Sequence, residues 1–570
     1  MRFWIDEFLK EIRWNLKNEL GFSLGRSIWE WVRGANQKEN LATRSWSLLI
    51  PEMEFSFINT RAGYQALDMT RINPVEPTPG GPVSKHEKWG FYMFGFATEP
   101  FYATAMAVCI PIILETLSAE AGYEYDLVTP CNVTGTYQCK VNFGGWWFDT
   151  SSFTLYVTAV SVAVQALVFI SLSSIADYGN LRKPMLLGSA SISALFSILF
   201  LTIVKSEHYW LAALYTIIAN VSFGASYVFY YAYVPTLTQF SAEVMSALPS
   251  AASSVREQVA NEISGNGFAF GYLGAVINLA FSVGLIFLTK DVVPVSTYPL
   301  QLACAFTGVW MFVFMSATAK WLENRPGAKL PAGESYLLFS WKQIIFTLRN
   351  ARHLSQAFMF LLSWFIMSDA VSTIVSIAII FAKKNLGLTL SDLMMAALIV
   401  PLSAGAGCIF WARLRSLFKL STKTMILIVT ALYVTLPIYG LIGLTDVGFG
   451  LVTKIEVFIF AVLHGFLLGA IQSFYRVLYS EMLPPGKENE FFGLYEITDK
   501  GSSWIGPLVV GAITELTGNI RHGFFFLVIS MIIPFFITLN VDPALGIKQA
   551  RAYEDKIKEQ FSLHVGLEDM

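Results

Sequence analysis

Apolar residues run along this chain in blocks of about twenty, separated by short polar breaks. The blocks fall near 90–116, 151–176, 184–204, 209–235, 264–289 and 298–322, then near 354–382, 391–413, 424–444, 454–478, 491–516 and 521–541. Each can cross about 30 Å of hydrocarbon as an α-helix, for which roughly 20 residues suffice. The pattern predicts an all-α polytopic membrane protein with twelve transmembrane helices, six on each side of a polar stretch at 323–353. The first 88 residues hold no such block. There Ile5, Leu9, Ile12, Leu16 and Leu20 recur at helical spacing, with Lys10, Glu11, Lys17 and Asn18 elsewhere on the helix. Such a helix either lies in the membrane interface or packs on the protein's own polar end. INPVEPTPGGPVSK (72–85) follows as a Pro/Gly linker. The expected domains are an extension at 1–88, six-helix bundles at 89–322 and 354–541 joined by the linker 323–353, and a charged tail at 542–570, read as a short helix or disordered.

Composition sharpens this reading. Of 570 residues, 54% are hydrophobic and only 14% charged, with mean hydropathy +0.53, where soluble domains carry about 25% charged residues. So few charges cannot cover several soluble domains, so most of the apolar surface faces the lipid bilayer. A formal net charge of -2 excludes the basic surplus that a nucleic-acid partner requires. Five cysteines are too few for a disulfide scaffold, and Asp6 and Glu7 interrupt any secretory leader. No GxSxG, HExxH, CxxC or lysine-bearing P-loop occurs, so neither an enzyme nor a resident cofactor or metal is expected. His464, inside a span, reads as a packing residue. Two six-helix halves are the arrangement of major facilitator transporters, whose halves are repeats around a midplane site.

Basic residues set the orientation. The loops after even-numbered helices hold 15 Lys and Arg, those after odd-numbered helices 6. Both termini and the 323–353 linker are therefore expected in the cytosol, and the 117–150 loop on the lumenal or outer side. That loop carries the sequon Asn132-Val133-Thr134, a candidate glycosylation site, beside Cys131 and Cys139, which are expected to pair on the oxidising side. A second match, Asn220-Val221-Ser222, lies inside a span.

An ionisable side chain inside a bilayer is a functional candidate by default. Glu99 sits near mid-depth in the first span, on one face with Tyr92 and Tyr102, before Pro100, where a kink would free backbone groups. Asp369 lies at the equivalent place in the seventh span, with Ser372, Thr373 and Ser376 on its face. Asn220 and Tyr227 in the fourth span and Gln472 in the tenth complete a candidate polar ring. For a zwitterionic substrate, Glu99 or Asp369 would take the ammonium or carry a proton, and amides freed at Pro100 would take the carboxylate. Gly267 and Gly271 form a small-xxx-small pair, read as packing. Gly465, Gly469, Gln472 and Arg476 form a stripe on the tenth span, and Glu496, Asp499 and Lys500 share the eleventh. These charges read as a cytosolic gate more than as ligand contacts. SSIADYGNLRKP sets Asp177 against Arg182 and Lys183 and looks like the major facilitator gate signature, Gly-x-Leu-Ala-Asp then a base. Ser173 replaces the Gly, and the first base comes one residue late. Asp177 with Arg182, and Arg476 with Asp499, are expected as two latches.

Several stretches together resemble the autophagy-related vacuolar amino-acid effluxers of fungi. They are WGFYMFGFATEPFYATAMAVCIPIILETL (89–117), SFTLYVTAVSVAVQALVFISLSSIADYGNLRKPMLL (152–187), GFAFGYLGA (267–275), LSWFIMSDAVSTI (362–374) and GAIQSFYRVLYSEMLPPGKENEFFGLYEITDKGSSWIGPL (469–508). The resemblance covers about 89–541, and the N-terminal extension lies outside it. It implies a multi-pass vacuolar membrane protein of the major facilitator superfamily that exports leucine and other neutral amino acids from lumen to cytosol after autophagic breakdown. From the residues alone, a non-transporting sensor or scaffold, or a carrier of another metabolite or of lipid, stays open, as does proton coupling.

Overall fold

Hydrocarbon offers no hydrogen-bond partners, so each apolar block must close its backbone bonds within itself. The structure, a computed structural model, describes residues 81–568 apart from 125, 132–138, 249–251, 290–296, 326–339, 343–344, 346, 348–350, 387, 389, 446–447, 504 and 518. The amphipathic helix and most of the linker expected in the N-terminal extension lie outside the described residues, as does Asn132.

The first span, α1, is Lys85–Glu120, started by Ser84, whose Oγ accepts from the Glu87 amide at 3.1 Å. Proline removes one helical donor, and directly after Pro100 the helix widens into π-helical turns over Phe101–Cys109. Ile110 N–H there reaches Ala105, five residues back. The expected kink is thus absorbed by wider turns that engage their own amides, so these do not stand ready for a carboxylate.

A two-stranded antiparallel hairpin follows, β1 (Lys140–Phe143) and β2 (Trp146–Asp149), in register Lys140↔Asp149 to Phe143↔Trp146. Cys131 and Cys139 are joined by a disulfide beside it. Then come α2 (Thr150–Leu172), α3 (Arg182–Leu199), α4 (Tyr209–Gln239), α5 (Ala252–Thr289) and α6 (Tyr298–Trp321). The second series is α7 (Ser355–Leu386), α8 (Leu390–Phe418), α9 (Thr422–Ile442) and α10 (Lys454–Glu481). It continues with α11 (Glu488–Ser502), α12 (Ile505–Thr517), α13 (Gly523–Asn540) and α14 (Pro543–Glu568).

Among the described residues, eleven helices are long and apolar enough to cross a membrane. The eleventh expected span, 491–516, is not one of them, because it is divided between α11, which ends at Ser502, and α12, which begins at Ile505. Its first half carries Glu488, Glu490, Glu496, Asp499 and Lys500, which places it against protein. The tail is the helix α14, held to the start of α7 by Gln549 Nε2 donating to Ser355 Oγ at 2.9 Å.

The two groups of helices meet along α2, α4 and α5 on one side and α8, α10 and α11 on the other. Small residues set the closest approaches. A Cβ on Gly267 would lie 2.8 Å from Phe91, and one on Gly469 would lie 2.2 Å from the Ala404 carbonyl. Gly267 and Gly271 therefore pack α5 onto α1, as expected, whereas Gly465 and Gly469 pack α10 onto α8 and do not line an open stripe.

Candidate functional site

Where α1, α4, α5, α10 and α11 converge, three carboxylates and two cations gather between the helix groups. Glu99 on α1 accepts a hydrogen bond from the Tyr227 hydroxyl of α4 at 2.6 Å, and Tyr227 in turn accepts from Thr98 Oγ1 at 3.3 Å. Gly271 lies alongside, where a Cβ would touch Glu99 Cβ at 3.4 Å. Arg476 and Lys500 are the cations whose charges act on Glu99.

Arg476, on α10, is 5% exposed. Its guanidinium carbon lies 3.9 Å from the Tyr231 ring centroid, 4.4 Å from that of Phe268 and 5.9 Å from that of Tyr495. Rings from both halves thus enclose it, in a cation–π arrangement that offsets part of the cost of burial. Its Nε and Nη1 have no hydrogen-bond partner. The expected Arg476–Asp499 latch is absent. Asp499 is instead taken by Lys500 at 2.9 Å and by Ser368 Oγ of α7 at 2.6 Å. Lys500 lies 5.3 Å from the centroid of the Tyr102 ring of α1, so this pair also spans the two halves. Tyr102 is 49% exposed, marking the open edge of the cluster, while Glu496 is buried with Oε1 unpartnered.

The remaining expected ring members lie elsewhere. Tyr92 stacks on Phe270 of α5 at 5.7 Å. Asn220 binds α4 to α2, donating to Ser161 Oγ at 2.8 Å while its carbonyl accepts from Gln165. Gln472 sits one turn from Arg476 on α10 with Oε1 unpartnered. Asp369 does not reach the cluster through its carboxylate. Its Oδ1 accepts the Gly506 amide at 2.9 Å, capping the first turn of α12 from a neighbouring helix. Thr373 fills the space over Gly506, where a Cβ would lie 1.8 Å from Thr373 Oγ1.

At the end that carries the described termini, the halves are closed by two sets of ion pairs, one buried and one half-buried. Asp177 Oδ1 accepts from Arg182 Nη2 at 3.2 Å and from the Asn489 amide at 3.0 Å, and Oδ2 accepts the Glu490 amide at 3.0 Å. It thereby caps α11 across the interface. Arg182 continues to Glu488 Oε2 at 3.1 Å and Thr236 Oγ1 at 2.7 Å. Tyr553 of α14 sits close by, and burial pushes its hydroxyl up to about 12, so it stays neutral. In the second set, Glu257 of α5 meets Arg415 of α8 at 2.8 Å and Thr422 Oγ1 at 2.6 Å.

The sequence reading missed Glu488, the Glu257–Arg415 pair and the aromatic cage. One signal was present. Glu257, Asn261, Ser264 and Phe268 fall at i, i+4, i+7 and i+11 on α5, and all face the other half. Asn261 donates to Thr422 at 2.8 Å, Ser264 meets Ser473 at 3.0 Å, and Phe268 covers Arg476.

A family model described as "Vacuole effluxer Atg22 like" matches residues 83–551. Autophagy-related protein 22 of Gibberella zeae is 33% identical over 563 residues, covering 85% of this chain and 85% of that protein. The protein of the same name in Pyricularia oryzae is 33% identical over 547 residues, covering 84% and 80%. Among solved structures, the chain is similar to FucP, a Major Facilitator Superfamily transporter, in its outward conformation. The TM-score is 0.53 at 14% identity, covering 80% of this chain and 99% of that one. The proton:xylose symporter XylE gives a TM-score of 0.54 at 12% identity, covering 82% and 97%. These likenesses show the major facilitator fold.

Proposed function

Because the chain belongs to the Atg22-like vacuole effluxer family, we propose that it is a vacuolar membrane carrier that exports neutral amino acids, leucine among them, from lumen to cytosol after autophagic breakdown. Transport proceeds by alternating access between the bundles 89–322 and 354–541. The end bearing the termini and the 323–353 linker is cytosolic, and the β1–β2 hairpin, with a glycan on Asn132, is lumenal. One observation carries the reading. A carboxylate, Glu99, and two cations, Arg476 and Lys500, share the interface between the halves, which is what a net-neutral substrate with one charge of each sign requires. The ion pairs at the terminal end close the cytosolic side, as in a carrier loaded from the lumen. Glu99 takes the ammonium or loads a proton on the acidic side.

Purified protein in liposomes, given radiolabelled leucine, is expected to show counterflow that excess unlabelled leucine abolishes and a lysolipid leaves intact. Lack of any flux would turn the reading to a sensor or scaffold, and competition by the lysolipid would turn it to a lipid carrier.

A further inference from the structure

We propose that Arg476 is the carboxylate anchor of the substrate site, held ready between aromatic rings for the bidentate grip of one small carboxylate. This rests on the carrier reading above and names the residue that selects α-amino acids within it. The sequence pointed to a gate, but the geometry of a gate is missing. A gating arginine pairs with a carboxylate in the closed state, and among the described residues the closed end is held by Arg182 with Asp177 and Glu488, and by Arg415 with Glu257. Among the described residues Arg476 has no carboxylate within ion-pair distance, although Glu496 and Asp499 are close enough for their charges to act on it. Asp499 is already committed to Lys500 and Ser368.

A buried guanidinium carries five donors, and leaving them unmade is costly. Nε and Nη1 are both buried and unpartnered. The flat faces are occupied by Tyr231 and Phe268, so the in-plane edge, where a carboxylate makes two parallel bonds, is the part left to a ligand. The rings come from α4, α5 and α11, so bound carboxylate would report to both halves at once. The acids Glu99 and Glu496, which act on one another and on Arg476, supply the complementary end for an ammonium. A carboxylate and an ammonium on one carbon fit this pairing, whereas an amine or a sugar would leave Arg476 unmatched.

The test compares leucine with leucinamide, which lacks the carboxylate, and with 4-methylpentanoate, which lacks the ammonium. Binding to the purified full chain is read by ligand-induced thermal stabilisation and by competition with radiolabelled leucine. Wild type is expected to bind leucine at least about thirtyfold more tightly than leucinamide, the scale of an unpaired buried charge, and to be stabilised by 4-methylpentanoate. In Arg476→Gln the leucine-to-leucinamide ratio should fall close to one and 4-methylpentanoate should no longer stabilise. Arg476→Lys should keep part of the ratio. The wild-type comparison changes only the ligand, so it holds even where a variant folds poorly. Leucine flux with leucinamide bound as well as leucine would overturn the anchor and leave the carrier reading standing. Absence of leucine flux together with absence of any carboxylate response would overturn both.

Discussion

At the scale of single residues, identity was easier to read than role. A charge inside an apolar block stands out, so Glu99, Asp369 and Arg476 were all visible in the sequence. What each does depends on a partner far along the chain. Asp369 meets the amide of Gly506, and nothing in the pattern around either residue announces the other. Gly506 shows how tight that junction is, since Thr373 is fully buried and lies where a side chain would start. Gly506→Ala is expected to lower stability by about 1–3 kcal/mol through overpacking. Adding Thr373→Ala should restore part of the loss, because it removes the Oγ1 and Cγ2 atoms that the new methyl meets at 1.8 and 2.9 Å and leaves only Cβ, at 2.8 Å. Thermal unfolding in detergent checks this, and simple addition of the two losses would contradict it.

At the scale of elements, eleven of the twelve blocks became continuous spans because length and apolar content suffice to specify a helix in lipid. The break in the eleventh was signalled only weakly: 500–507 reads KGSSWIGP, a Gly/Ser run with Pro507 in the first turn of α12, and a proline inside an apolar block also fits a kinked but continuous helix. The break depends on what α7 offers. Ser368 receives the end of α11, donating to the Asp499 carboxylate and carbonyl, and Asp369 receives the start of α12. Such a cap needs an acceptor oxygen more than a charge. Asp369→Asn should therefore keep leucine binding and flux within about twofold, whereas Asp369→Ala should cost about 0.5–2 kcal/mol of stability with a matching loss of folded protein. If Asp369→Asn, folded, lost leucine binding while Asp369→Ala were no less stable than wild type, the carboxylate would belong to the substrate site. The stripe on α5 fared differently. Its spacing was plain, but a polar face toward a partner helix looks the same as one toward water until the partner is placed.

At the scale of the whole molecule, two ion-pair sets, one buried and one half-buried, hold one end shut, and their placement on different helices makes them separable. Removing one partner of a buried pair costs up to about 3–5 kcal/mol where a charge is left unpaired; here Arg182 keeps Asp177 when Glu488 is neutralised and Glu257 is half-buried, so each change is expected to cost less, yet enough to shift a close balance between two orientations. Glu488→Gln and Glu257→Gln should each raise labelling of a cysteine placed at Tyr102 from the side that these pairs close, and the double change should raise it further, while leucine affinity per open site stays put. Labelling unchanged in both would deny that these pairs set the orientation. The opposite end has a different task. With the hairpin end facing a vacuole lumen, as proposed above, its loop would meet proteases, which need a stretch of chain to come loose before they cut. Here Cys131–Cys139, the β1–β2 pairing and the Tyr209 hydroxyl bound to the Asn142 carbonyl oppose that loosening. Cys139→Ser should raise the cleavage rate between residues 121 and 150 by about tenfold at fixed protease, following the larger open population. On the carrier reading proposed above, the hairpin would set how long the protein survives among the enzymes that produce its cargo.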